Sequence, residues 1–395
     1  MTNRQIKQPV VWVSFAIVFI VAAIFVVIQA ETKKNSEETI LYPVQVDGKW
    51  GYINKAGKIA IEPIYTLAED FHEGVAVVQV KDESKSSEDG EEQNNVKVGV
   101  IDSAGKMIVK PEYSAISTFS DGVAGAIKLD EDTYSLEYFV LNTKGKVVST
   151  LPEDMNIVSM LLIGNNMPTQ SDGLILVQDE PTEMYGYINS RGKMIIPYQY
   201  EQAYSFSDGL ALVMKDKHYQ YIDKTGKVII DASKYVNGNS FSEGLAAVAV
   251  KNSETSAALY GYIDTKGNMV IEPKFTIAYG FSEGLAKVCV GGSINQYSIG
   301  YIDKSGAYKL GPDLDDSFDE TLFSEGLVSI NDGAGGYMNK DGNLSIPKVV
   351  QKENDNILRH NNAGPFRNGI AKVSFSDGRI GYIDTTGNYI WDPRN

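Results

Sequence analysis

The chain has 395 residues, 43% of them hydrophobic, and a formal net charge of −15. Enough apolar material is present for a folded core, while the acidic balance argues against nucleic acid, whose phosphates need clustered Lys and Arg, and against lying flat on an anionic lipid surface. A single cysteine, Cys289, excludes an internal disulfide, and His72, His218 and His360 are too scattered to join it in a nucleophilic or zinc-binding set.

In chain order, residues 1–9 form a short polar tail that carries Arg4 and Lys7. Residues 10–28 carry no charge, and Ser14 is their single polar side chain. As a helix this run would be about 28 Å long, enough to cross the hydrocarbon core of a bilayer. Ile28-Gln29-Ala30 makes a poor cleavage site, and the run exceeds the roughly 7–15 apolar residues of a signal peptide. An uncleaved transmembrane signal anchor is therefore expected, with a cleaved signal peptide as the competing reading. No Cys follows to receive a lipid. Arg4 and Lys7 on one side balance Lys33 and Lys34 on the other, so the positive-inside rule hardly votes. The ordinary orientation of a signal-like first segment puts the short tail in the cytoplasm and the large domain outside. Residues 29–40 form a polar linker.

From residue 41 to 395 the chain repeats itself. Gly51-Tyr52-Ile53-Asn54, closed by Gly57, recurs as Gly99–Gly105, Gly186–Gly192, Gly261–Gly267, Gly300–Gly306, Gly336–Gly342 and Gly381–Gly387. Degenerate copies run Phe139–Gly145 and Gln220–Gly226, which makes nine. Between them sits Phe-Ser-Asp/Glu-Gly-Leu-Ala or a close variant: Phe71–Ala76, Phe119–Ala124, Phe206–Ala211, Phe241–Ala246, Phe281–Ala286, Phe323–Val328 and Phe366–Ala371. Gln170–Ile175 is a weaker copy without the Phe. A period of roughly 40 residues marks a repeat architecture.

Asp or Asn followed three residues later by Gly, between alternating apolar runs, predicts a hairpin: the side chain caps the turn's own N–H groups and Gly takes the positive φ. Trp50–Asn54 and Lys58–Glu62 should pair, and Pro63 should end the second strand. The Glu-Gly or Asp-Gly of the second phrase predicts another tight turn, launching a third strand such as Val75–Val80 or Leu210–Met214. Its consecutive apolar residues predict burial on both faces. Leu41–Val46 reads as one more such strand, giving nine three-stranded meanders. Three stretches break the pattern: the acidic insertion Asp82–Asn95, the run Leu151–Gln170 and the irregular Gln351–Asn362.

This pattern resembles the bacterial proteins built of Trp-Gly ("WG") repeats, over about Leu41 to Pro393. The namesake dipeptide survives only at Trp50-Gly51; elsewhere the position holds Val98, Tyr185, Tyr260, Ile299, Gly335 or Ile380. The resemblance implies a β-rich binding or scaffolding array, and it carries over no catalytic residues. The expected fold is an all-β array of antiparallel β-meanders, behind one N-terminal transmembrane helix. The meanders could stand as propeller blades or stack into an open superhelix. Nine units exceed the usual count of roughly four to eight blades, which weighs against one closed ring. No strand looks shared between the two ends of the chain.

Every predicted hairpin carries an acid or its amide: Asn54, Asp102, Asn142, Asn189, Asp223, Asp264, Asp303, Asn339 and Asp384. Hydrolysis would discriminate Asp from Asn, because Asn cannot give or take the proton; turn formation does not. These residues are read as turn formers, and no catalytic, cofactor-binding or metal-binding residue is assigned. Asp313–Glu320 is dense in carboxylates but lacks the register of a calcium loop. Cys289 reads as a small core residue. The sequence thus predicts a non-catalytic, membrane-anchored extracytoplasmic module with a protein or cell-wall glycan partner and no nucleic acid. The competing readings are an envelope hydrolase with its site in Leu151–Gln170 or Gln351–Asn362, and a passive stalk.

Overall fold

The computed structural model describes residues 40–393, apart from 83–95, 131–132, 159–169, 252–256, 292–296, 313, 315–320, 331–335, 348–349, 354–355 and 376–377. The tail, the anchor and nearly all of the linker lie outside the described residues, as do most of the acidic insertion and of Asp313–Glu320. Among the described residues no helix is long and apolar enough to cross a membrane.

Nine antiparallel sheets follow one another along the described chain in a β-propeller-like arrangement. Blade 1 has three strands, β1 (Leu41–Val46), β2 (Lys49–Asn54) and β3 (Ile59–Tyr65). Blade 2 adds a short strand in front: β4 (Leu67–Ala68), then β5 (Val75–Lys81), β6 (Val96–Asp102) and β7 (Met107–Tyr113). The grouping sharpens the sequence reading. The apolar strand after each Glu-Gly or Asp-Gly belongs to the hairpin that follows it, with Val75 opposite Asp102 and Lys81 opposite Val96. Its double-sided burial is as expected: Val75, Ala76, Val77 and Val78 are all buried. The short fourth strand was not foreseen. In blade 4 Met155–Ile157 takes that edge, so Leu151–Gln170 partly rejoins the pattern. Gln351–Asn362 is not irregular: Val350–Glu353 and Asn356–Ala363 pair as a hairpin that extends blade 9 to five strands.

Every hairpin turns as its sequence dictates. Asn54 Oδ1 accepts N–H bonds from Ala56 and Lys58, and Asp264 Oδ1 does the same from Lys266 and Asn268. The Gly before the Tyr has a separate reason. A Cβ on Gly261 would meet the Ile271 carbonyl oxygen at 2.4 Å, because the register shifts there and the two backbones close in. The second turn is a two-residue loop: Ser242 and Leu245 exchange backbone bonds, while Glu243 and Gly244 take φ of 53° and 84°. Both signs are positive, as this tight hairpin requires.

The core lies between blades. Leu245, Tyr262 and Phe275 of blade 6 pack with Ala278, Phe281, Val288 and Ile302 of blade 7. Cys289 sits fully buried in the same layer of strands, as expected. The hairpin Tyr crosses seven of these joints; blades 2 and 3 carry Val100 and Val140 in its place. Its ring meets the next blade's Phe edge-on, for example Tyr221 with Phe241 at 4.9 Å and Tyr262 with Phe281 at 5.1 Å. Its hydroxyl donates to a carbonyl of the next blade, from Tyr221 to Asn239 and from Tyr262 to Tyr279. One residue thus satisfies both an apolar and a polar demand at the joint.

The last blade meets the first. Tyr382 of blade 9 donates to the Pro43 carbonyl of blade 1 at 2.8 Å, and its ring lies 5.4 Å from that of Tyr42. Tyr42, Val44 and Ile53 share one core cluster with Ile370 and Tyr382. The unusual count of nine therefore does not keep the ends apart. The closure uses side chains and no shared blade, in keeping with units that are each complete.

Candidate functional site

The Ser-Asp/Glu-Gly turns of successive blades are stitched into a belt. The carboxylate of one turn accepts the Gly N–H of the next: Glu73 from Gly122, Asp121 from Gly173, Asp172 from Gly209, and Asp208 from Gly244. Glu243, Glu283 and Glu325 continue it to Gly284, Gly326 and Gly369. These bonds span 2.7–3.0 Å. The Ser beside five of these acids adds a second stitch: Ser171, Ser207, Ser242, Ser282 and Ser324 donate from Oγ to the carbonyls of Phe206, Phe241, Phe281, Phe323 and Phe366. A lysine directly after the hairpin Asp or Asn adds a third. Lys304 and Lys340 reach back one blade to Glu243 and Glu283 at 3.1 and 3.0 Å, and Lys224 lies 3.9 Å from Asp172. Partial burial pushes the Glu283 carboxyl up, but Lys340 and the Gly326 N–H outweigh it and hold it below the usual range.

The belt stops at blade 1. Among the described residues that blade has no such turn ahead of β1, because no Phe-Ser-Glu-Gly precedes Leu41. Both flanking turns depart from the pattern. Blade 9 carries Arg367-Asn368-Gly369, with Arg in place of Ser and the neutral Asn in place of the acid. Blade 2 has His72 in place of Ser. Lys55, the blade 1 counterpart of Lys304 and Lys340, lies against Gly369 and has no carboxylate partner among the described residues.

The missing turn leaves a cavity of about 220 Å³. Arg367, Asn368 and Lys372 line it from blade 9, Asp70 and Phe71 from blade 2, and Tyr42 forms part of the floor. Arg367 and Lys372 form no ion pair with Asp70 among the described residues, so the opposite charges stand on separate walls. The Tyr42 side chain is buried, and its hydroxyl has no hydrogen-bond partner among the described residues. Burial first, then Glu325 and Asp70, push that hydroxyl up to about 12, so it keeps its proton. Burial likewise pushes the neighbouring Glu69 carboxyl up to about 7, helped by Asp70. The half-buried His72 is held below the ordinary imidazole value by burial, which outweighs Asp70 and Glu73; Arg367 pushes the same way. It is neutral at pH 7.

The nine hairpin acids and amides are thus dispersed, one per blade, each folded into its own turn. The structure does not bring them together. Among the described residues no group of His, Cys, Asp and Glu could hold a metal ion. Sequence reading missed Tyr42, Asp70, Arg367 and Lys372. Two signals were present: Asn368 stands in the acid's place, and Arg367 stands in that of Ser.

No curated protein matches the chain. Solved structures match it at low identity and low TM-score. A computationally designed protein, Ika8, is 13% identical, with 81% of this chain and 95% of that one covered at a TM-score of 0.39. The β-propeller domain of the Trilobed protease from Pyrococcus furiosus is 10% identical, covering 83% and 98% at 0.40. Apo AztD from Citrobacter koseri is 14% identical, covering 74% and 90% at 0.40. Scores this low say nothing about activity. The sequence profile described as WG containing repeat matches residues 50–83, 99–130, 185–219, 221–252 and 260–293, each match running from a hairpin into the apolar strand of the next blade. With five such units in one array, the chain is a WG repeat-containing protein.

Proposed function

We propose that this is a non-catalytic binding module of the cell envelope, tethered by residues 10–28 with its blades outside the membrane. The observation that carries the reading is the commitment of the repeated acids to structure. A carboxylate that caps its own turn or accepts a neighbour's N–H has no freedom to shuttle protons. Polar groups left uncommitted gather at the seam between blades 9, 1 and 2, and that is where a partner protein or wall glycan would be gripped. The hydrolase reading would need one repeat carboxylate to matter beyond its turn.

The test combines location and retention. Full-length protein in cells should stay with the membrane fraction and be digested by external protease once any wall is removed. In detergent it should co-sediment with isolated envelope material, and Arg367→Gln with Lys372→Gln should abolish that retention. Asp264→Asn should leave it unchanged. Protection of the blades from protease, or an Asp→Asn change that kills function in a folded protein, would sink the reading.

A further inference from the structure

The seam cavity has three properties that together select a ligand. Its charges are divided: cationic Arg367 and Lys372 stand on the blade 9 wall, and anionic Asp70 stands on the blade 2 wall. A plain dicarboxylate would meet Asp70 unfavourably, and a diamine would meet Arg367 and Lys372. Its floor is apolar and aromatic, with Leu41, Tyr42 and Ile370. At about 220 Å³ the space suits one small group.

The belt gives an independent reason to expect a carboxylate. In three other places a lysine directly after the hairpin Asp or Asn faces an acid of the preceding blade. At the seam that acid is replaced by Asn368, and Lys55 lies beside Gly369 without it. Blade 1 also supplies no acid to blade 2 among the described residues. One carboxylate is therefore lacking beside Gly369, next to the Arg367 and Asn368 that line the cavity.

We propose that the seam cavity binds an α-amino-acid group, an ammonium and a carboxylate on one carbon, with the carboxylate on Arg367 and Lys372 and the ammonium on Asp70. This rests on the binding-module reading and names the chemistry its grip takes. A bidentate Arg fork matches a carboxylate, and Asp70 supplies the counter-charge that discriminates the zwitterion from a simple acid. Two sources offer this group: a free amino acid, and the unblocked end of a diamino acid in a wall peptide.

Calorimetry on the full chain in detergent micelles tests it with L-leucine, 4-methylpentanoate, isoamylamine and a wall tripeptide ending in meso-diaminopimelate. Leucine or the tripeptide should bind at least tenfold more tightly than the simple acid or amine, and the stronger of the two identifies the source. Arg367→Gln and Asp70→Asn should each weaken that binding tenfold or more, with Arg367→Lys between, while the melting temperature of the unliganded protein stays put. The proposal is overturned if neither zwitterion binds the folded wild type, if the simple acid binds as well, or if both variants bind normally. Calorimetry on purified protein is indifferent to location, so a failed tether and a failed ligand assignment are told apart.

Discussion

The joint between blades 6 and 7 and the joint between blades 9 and 1 use the same parts to different extents. At the first, Tyr262 donates to Tyr279 and meets Phe281, Ser242 donates to Phe281, and Glu243 holds both Gly284 and Lys304. At the second, only the Tyr remains: Tyr382 donates to Pro43 and meets Tyr42 where a Phe would stand. A repeat satisfies its polar groups through its neighbour, so an interior joint leaves nothing over. The two ends of the array cannot do this fully. The ring closes there by apolar packing and one hydroxyl bond, and the groups left over become available to something else.

The largest effect should come from emptying an interior joint. Phe281→Ala removes a fully buried ring and should destabilise by about 3–5 kcal/mol in denaturant titration. Phe71→Ala, at a half-buried wall of the seam, should cost about 1–2 kcal/mol. Equal losses would show that the cavity beside Phe71 takes nothing from the packing of its ring on Tyr52.

Glu69 probes the seam by pH. Its carboxyl is raised to about 7, whereas in the unfolded chain it titrates near the ordinary value. The folded state therefore binds the extra proton between those values, and stability should fall as pH rises from about 4.5 to 7. Glu69→Gln should flatten that slope and stabilise the protein at pH 7.5, on the order of 1–2 kcal/mol after allowance for partial exposure. Thermal melts across pH 4.5–7.5 with an unaltered slope in the variant would rule out Glu69 as the titrating group.

Backbone strain comes next. Gly244 has a φ of 84° with open space around it, so Gly244→Ala should cost about 1 kcal/mol through conformation alone. Gly280 has no positive φ, and its nearest neighbour to a new Cβ stands at 3.4 Å, so Gly280→Ala should be nearly silent in the same melt. A reversed order would show that room, and not φ, governs these turns.

The smallest effect repairs the belt. Asn368→Asp should give Lys55 the acid that Lys304 and Lys340 already have, raising stability by a few tenths of a kcal/mol. The gain should vanish at 1 M salt, where exposed charges are screened. A salt-independent gain would point to some other cause.

Much of this was legible in the residues. Asp264, Asn54 and Asn189 announced their hairpins because the capping interaction is local, spanning two and four residues. The positive φ of Gly244 followed from the dipeptide for the same reason. The grouping of β5 with β6 did not follow, since an apolar strand buried on both faces can pair with either neighbouring hairpin. The seam residues were harder still. Arg367 and Asp70 lie almost 300 positions apart, and each alone reads as an ordinary exposed charge.

The sequence by itself determined the unit: its turns, its strands, its buried Tyr and Phe, and how many times it recurs. Each is set by interactions within roughly 40 residues, so it is written in the copies themselves. Only the tertiary structure decided that blade 9 returns to blade 1, and hence which groups face one another across the gap. Closure depends on the small rotation between blades accumulated over the whole array, and no single repeat encodes that sum. The cavity at the seam exists because the array's two ends meet there with unlike edges.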